Sequence, residues 1–332
     1  MPDLRLQKRS FPFPIPNGWF AVAYADELAR GQVRELRYFG EDLIAFRGES
    51  GEVRVLDAYC PHLGAHIGRG GKVEGDTVRC PFHGWRFAGD GACVEIPYAQ
   101  RIPPRAGLRA WPALERNGMV WVWHHAEGKS PDWDVPAIPE AGDSNWTAPE
   151  RYRWKIRSRN QEMGENAADR AHFRYVHGTM EVPESEVTVD GVWRRSLQRS
   201  KMLTPRGPVD GCIDANTFGF GCGFTRFTGI CETLLMASTT PIDEEYTDVR
   251  FDFLQPKENG AAPKAGVAAA IIRDIVKQMN EDIPIWESKA YLPRPILCDG
   301  DGPIAEFRRW CQQFYSAEHG RVPMRPSGVS HS

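Results

Sequence analysis

Residues 60–87 read CPHLGAHIGRGGKVEGDTVRCPFHGWRF. Two short loops, Cys60-Pro-His62 and Cys80-Pro-Phe-His83, each bring one cysteine and one histidine, with 17 residues between His62 and Cys80. Two thiolates and two neutral imidazoles complete a four-ligand set. Structural zinc sites use the same donors, but their knuckles pair Cys with Cys and His with His, whereas here each loop supplies one of each. The mixed loops suit a two-iron, two-sulfur cluster in which thiolates hold one iron and imidazoles the other. Such ligation raises the reduction potential well above that of an all-cysteine cluster. His66 falls in the first loop but outside this spacing, and reads as a structural histidine.

Around these loops, from about Gly31 to Trp123, short alternating runs such as EVRVLDAY, TVRCPF and GMVWVW are separated by glycine-rich turns such as FAGDGAC. This is the pattern of a small antiparallel β domain. The stretch 127–150 holds four prolines and no periodicity, and reads as the linker to a second domain. With 332 residues, 41% of them hydrophobic, the chain has enough apolar surface for two cores. Its 41 basic and 44 acidic side chains leave a net charge of −3, which gives no reason to expect nucleic acid. The first twenty residues are broken by four prolines and match neither a signal peptide nor an anchor, and no run reaches membrane-span length, so the expected location is cytoplasmic. The six cysteines outside the cluster pattern, Cys93, Cys212, Cys222, Cys231, Cys298 and Cys311, are expected to be small buried hydrophobes.

Beyond the linker the period changes. Residues 160–177 (NQEMGENAADRAHFRYVH) read as a helix stopped by Gly178, followed by four strand-like runs and then the clearest helix, 267–283, which Pro284 is expected to kink or end. The first helix carries His172 and His177. Two imidazoles plus one carboxylate on one face of an iron leave positions open for dioxygen beside a substrate. On an ideal helix residues five apart are separated by about 140°, so the helix must distort or end there for both to reach one metal.

The motifs CPHLGAH and CPFHGWRF, with ENAADRAHFRYVHGT, TLLMASTTPIDEE and DIPIWESKAYLPRPILCDGDGPIAEFRRWCQQFY, resemble the Rieske non-haem iron oxygenases, and within them the 3-ketosteroid 9α-hydroxylase and cholesterol 7-desaturase group. The resemblance implies an α+β chain. An N-terminal antiparallel β Rieske [2Fe–2S] domain would span 1–148, with its cluster core at about 31–125. A catalytic domain would span 149–332, its antiparallel sheet wrapped around a long C-terminal helix in a helix-grip-like arrangement. It implies two cofactors: the cluster on Cys60, His62, Cys80 and His83, and a mononuclear Fe(II) on His172, His177 and a carboxylate from the acidic end of the long helix. Asp282 is the choice for that carboxylate, with Glu281 and Glu287 as neighbours left open. Asp169 corresponds to the acid that bridges to a cluster histidine, here His83, of the next subunit in a head-to-tail homotrimer, and Asn166 lies near the iron. The implied activity is a terminal oxygenase fed by a separate NAD(P)H-dependent reductase or ferredoxin, hydroxylating a bulky apolar substrate such as a 3-ketosteroid with dioxygen. Sterol desaturation, oxygenation of a non-steroidal polycyclic or aromatic compound, and a non-enzymatic Rieske electron carrier with a binding domain are the alternatives.

Two further patterns stand out. In NTFGFGCGF a single strand would put Phe218, Phe220, Cys222 and Phe224 on one face and Thr217, Gly219, Gly221 and Gly223 on the other, where a ligand or a packed helix could come close. The alternation Arg151, Arg153, Lys155, Arg157, Arg159 would line up five cations, either solvated or meeting an acidic electron donor or another subunit. No charged group is evidently dedicated to a substrate carboxylate.

Overall fold

The computed structural model describes residues 11–178, 184–204, 207–229, 231–258, 260, 261, 263 and 266–316. The outer ends of the two expected domains, 1–10 and 317–332, lie outside the described residues.

The N-terminal half is built from three small antiparallel sheets. One pairs β1 (Gly18–Tyr24) with β11 (Met119–His124) and β10 (Ala113–Arg116). A second runs β2 (Val33–Tyr38), β3 (Glu41–Arg47), β4 (Val53–Asp57) and β9 (Ala110–Trp111). The third is a meander of β5 (Lys72–Glu74), β6 (Thr77–Arg79), β7 (Arg86–Ala88) and β8 (Cys93–Glu95). Strand β1 lies ahead of the stretch 31–125; all seven of its residues are buried, so it shows no alternation for a sequence reading to catch.

The C-terminal half is one seven-stranded antiparallel sheet, ordered β12 (Glu150–Ile156), β18 (Thr247–Leu254), β17 (Thr233–Pro241), β16 (Cys222–Thr228), β15 (Gly207–Phe218), β14 (Trp193–Thr204) and β13 (Glu184–Asp190). It folds over α3 (Val267–Ser288), whose apolar stripe at Ile272, Ile275, Met279 and Trp286 meets Val249, Phe251, Phe253 and Leu235. The short helices α1 (Asn160–Gly164), α2 (His172–Tyr175) and α4 (Ile304–Cys311) close the remaining sides. Among the described residues no helix is long and apolar enough to cross a membrane.

Several expectations need correction. The helix expected over 160–177 is broken: α1 passes into a 3-10 turn at Glu165–Ala167, and α2 starts only at His172. The Asp169 carboxylate accepts the Ala171 N–H at 3.0 Å, and Gly302 packs so closely on the Ala168 carbonyl that a Cβ there would lie 1.7 Å from its oxygen. Local side-chain capping and the approach of a second segment thus outcompete helix propensity. The long helix, in contrast, runs through Pro284 to Ser288. Asn280, whose carbonyl loses its partner at Pro284, and Pro284 itself lie on the exposed face, where the freed carbonyl is open to solvent, while Trp286 anchors the next turn in the core.

NTFGFGCGF is a hairpin: Phe218 pairs with Cys222 across a turn at Gly219–Gly221. Gly219 takes φ +58°, and a Cβ on Gly221 would fall 2.0 Å from the Trp19 carbonyl oxygen. That close approach belongs to β1 and not to a ligand. The cation row is largely satisfied within the chain. Arg151 pairs with Asp26, Arg153 with Asp248 and Arg157 with Glu245, while Lys155 lies over the Tyr246 ring. The proline-rich 127–150 segment packs instead of dangling, with Val135 and Ile138 buried and the Trp133 carbonyl accepting the Trp19 indole N–H. All eight cysteines are free thiols, but Cys298 is exposed and Cys212 and Cys231 are only half-buried.

A buried polar lock joins the two halves. Arg250, 1% exposed, donates to the carbonyls of Ala21 and Val22 on β1 and to the Tyr38 hydroxyl, and pairs with Asp248 at 2.7 Å. Tyr24 donates to Asp252 at 2.9 Å. Burial pushes the Asp252 carboxyl up to about 6 against the pull of Tyr24, Arg151 and Arg250.

Candidate metal centres

The first centre is made by two loops with the same backbone closure. The Cys60 N–H donates to the Ala65 carbonyl and the Gly64 N–H to the Cys60 carbonyl; Cys80 does the same with Trp85 and Gly84. Gly64 and Gly84 adopt φ +75° and +73°, the left-handed conformation that closes each turn without a side-chain clash. Both loops then point their donors to one place. The imidazoles of His62 and His83 lie with centroids 4.6 Å apart, and His62 stacks on Trp85 at 4.8 Å. Trp85 is itself held by an indole N–H to the Tyr98 hydroxyl at 2.8 Å.

The chemistry of the donor set fits a cluster. Cys60 and Cys80 are buried, and burial together with the adjacent Cys80 thiol pushes Cys60 up to about 12, so thiolate here needs the positive charge of bound metal. The Nδ1 of His62 is buried with no hydrogen-bond partner, as expected of an atom shaped to meet a metal. His66 stays apart, packed edge-on against Tyr59 at 5.2 Å.

The second centre draws on three segments. His172, His177 and Asp282 each offer a ligand atom, and these atoms all lie within 4.8 Å of one another. The break before α2 resolves the angular problem of two histidines five apart. Asp169, whose carbonyl oxygen is freed by that break, accepts from His172 Nδ1 at 2.5 Å. His177 Nδ1 donates to the Glu281 carboxylate at 3.0 Å, which leaves His177 Nε2 facing Asp282 Oδ1 at 3.4 Å. With protons held on both Nδ1 atoms, the two Nε2 lone pairs are free for a metal.

Glu281 is thus placed on the far nitrogen of His177, and that hydrogen bond, with Lys277, holds its carboxyl below the usual range. Glu287 accepts the Arg157 N–H at 3.2 Å, outside this group. Asp282 is buried on the sheet-facing stripe of α3, and desolvation raises its carboxyl despite the neighbouring histidines and Asn166. Asn166 accepts the Trp286 indole N–H at 3.1 Å through Oδ1, which aims its amide N–H at Asp282. The sequence does not show Glu281 as a partner of His177 or Trp286 as the support of Asn166. An acid beside the chosen ligand was the only signal for the former.

Residues 18–112 match the model of the Rieske [2Fe-2S] domain, and residues 122–315 match that of the 3-ketosteroid 9alpha-hydroxylase C-terminal domain. The chain is similar to a cholesterol 7-desaturase of Xenopus laevis, with 32% identity covering 98% of this chain and 77% of that protein. It is equally similar to a probable 3-ketosteroid-9-alpha-monooxygenase oxygenase component of Rhodococcus rhodochrous, with 32% identity covering 92% of this chain and 81% of the other. Among solved structures, dicamba monooxygenase bound to dicamba superposes with a TM-score of 0.72 over 91% of this chain and 98% of that one, at 18% identity, which establishes the shared fold.

Proposed function

The chain belongs to the Rieske non-haem iron oxygenases, whose cofactors are a [2Fe–2S] cluster and a mononuclear iron, and on that premise we propose that it oxidises a steroid or sterol with dioxygen. The observation that carries the reading is the convergence of His172, His177 and Asp282 on the sheet-facing side of α3. A metal there would face the space between helix and sheet, away from bulk water. The relatives named above are called 3-ketosteroid monooxygenase and cholesterol desaturase, which favours a bulky apolar substrate and leaves hydroxylation and desaturation as two outcomes of one site.

The residue roles follow. Cys60 and Cys80 would hold one cluster iron and His62 and His83 the other; His172, His177 and Asp282 would hold the mononuclear iron. When bound, the two groups supply single-electron relay and oxygen insertion at an unactivated C–H bond. The protein keeps the His172 and His177 protons on Nδ1 through the Asp169 carbonyl and Glu281, and orients Asp282 through Asn166 and Trp286. The apolar sheet face then positions substrate and excludes water.

Asp169 is assigned as the bridge to His83 of the partner subunit in a head-to-tail trimer. Exposed Leu63, Phe82 and Tyr98 around the cluster loops support such a contact, since large apolar side chains there are otherwise left in water. Electrons would come from a separate reductase or ferredoxin, and the eight free thiols suit a reducing cytoplasm.

The test is iron content and product. The reading expects about three irons per chain and incorporation of label from dioxygen into a hydroxylated steroid. An intact cluster with no additional iron retained would leave only an electron carrier.

A further inference from the structure

The concave face of the sheet changes character along its width. Register places Phe251, Ala237, Gly223, Thr217 and Arg194 in one row across β18, β17, β16, β15 and β14, so all point to the side occupied by α3. Helix α3 covers the β12, β18 and β17 end of that face with apolar contacts. It does not fill the rest. Among the described residues, the three atoms nearest a Cβ built on Gly223 all belong to its own sheet, at Asn216, Thr217 and Ala237, and Ala215, Thr217 and Thr225 remain half-buried. This uncovered half of the face is where a bulky apolar molecule can lie beside Asp282.

At its far end stand buried polar groups without partners. Arg194 is 2% exposed, yet its Nη2 has no hydrogen-bond partner, and no carboxylate pairs with it among the described residues. Its guanidinium sits 5.3 Å over the Phe307 ring, and the Cys311 thiol and exposed Glu306 of α4 are the ionisable groups whose charge acts on it. The next inward residue on β14, Ser196, is 1% exposed, and its hydroxyl is unpartnered too. Phe307 also lies against α1, since a Cβ on Gly164 would come within 2.9 Å of its ring. One aromatic ring therefore separates Arg194 from the segment that leads to Asn166.

A buried guanidinium left unpaired is costly to the empty protein, because desolvation is not offset by an opposing charge. Such a cost persists in a binding site when the ligand supplies the missing group. We propose that Arg194 and Ser196 form a carboxylate subsite, and that the substrate is a polycyclic apolar acid whose carboxylate pairs with Arg194 while its ring system lies over Gly223 towards Asp282. This rests on the reading of the uncovered sheet face as the substrate site.

The experiment compares a steroid carboxylic acid, its methyl ester and a neutral 3-ketosteroid on the iron-loaded full-length enzyme. Affinity is read by tryptophan fluorescence, turnover by labelled product with a supplied reductase, and stability by Tm without ligand. The acid should bind at least about tenfold tighter than its ester. Arg194→Gln should abolish that preference while leaving ester affinity within about threefold. Arg194→Lys should restore part of the preference. The ligand-free Tm of Arg194→Gln should be unchanged or higher, whereas a structural arginine would lower it. Equal binding of acid and ester by the wild type, equal weakening of both in the variant, or a lower Tm overturns the subsite. Oxidation of the neutral ketone by a wild type that binds acid and ester equally would refute the subsite and leave the oxygenase reading standing. Failure of all three compounds to bind or react would remove the steroid reading and the subsite with it.

Discussion

The two candidate metal centres are built by opposite strategies. The cluster loops lie within one short stretch, 60–85, and are shaped by their own backbones: the same pair of hydrogen bonds closes each, and a left-handed glycine ends each. The second centre joins α2 to a residue more than a hundred positions later on α3, and its imidazoles are oriented by two different devices, a main-chain carbonyl for His172 and a carboxylate for His177. A locally closed site depends on loop conformation. A site assembled from distant elements depends on packing and on the partners that aim its ligands.

The sharpest separation of the two should come from removing a ligand at each. Cys80→Ser should abolish the cluster's visible absorption and all turnover. Asp282→Ala should lower turnover by more than about a hundredfold and remove the mononuclear iron, while the cluster's EPR signal persists. If Asp282→Ala also bleached the cluster, the independence of the centres would be wrong.

A smaller effect is expected from the aiming group. Glu281→Ala should weaken mononuclear iron binding by about 10–100-fold through loss of the His177 Nδ1 acceptor, measured by iron titration of the apo site with the cluster retained. Loop closure should show in stability. Gly84→Ala imposes a side chain at φ +73° with Pro97 only 3.1 Å from the new Cβ, and should cost about 1–2 kcal/mol in denaturant unfolding.

The lock between the halves adds a pH test. Asp252 rises from 3.8 to about 6 in the fold, so the folded state holds that proton more tightly than the unfolded chain does. Its contribution is therefore most favourable below pH 4 and is lost as pH rises through 6, a change of up to about 3 kcal/mol. Asp252→Asn should flatten this part of the stability profile between pH 4 and 7, read as Tm against pH. The smallest effect is expected from Glu287→Gln, whose carboxylate accepts the Arg157 N–H away from the candidate iron ligands, and which should change turnover less than about twofold. A large loss there would move the third ligand from Asp282 and redraw the second centre.

The legibility of the two regions differs for the same reason. Cys60, His62, Cys80 and His83 could be read together because their spacing is itself the geometry: loops this short have few ways to fold. His172 and His177 were visible as a pair, but their convergence was not, because it depends on a helix that breaks where Asp169 caps Ala171 and Gly302 crowds Ala168. The alternation puts glycines 219 and 221 on one face of a strand, whereas they turn a hairpin under β1. Periodicity cannot distinguish these cases, since a turn between two strands preserves the alternation.

Sequence alone determined the two like Cys/His loops, the two-part β-rich organisation and the long amphipathic helix, since each is a property of residue order at short range. Only tertiary structure decided that Asp282 rather than Glu281 faces His177 Nε2, that the cation row of β12 is paired within the chain, and that Arg194 is buried with no acid paired to it among the described residues. Those outcomes depend on which faces meet across distant strands and helices, and contacts of that range are set by packing of the whole chain and not by any local pattern.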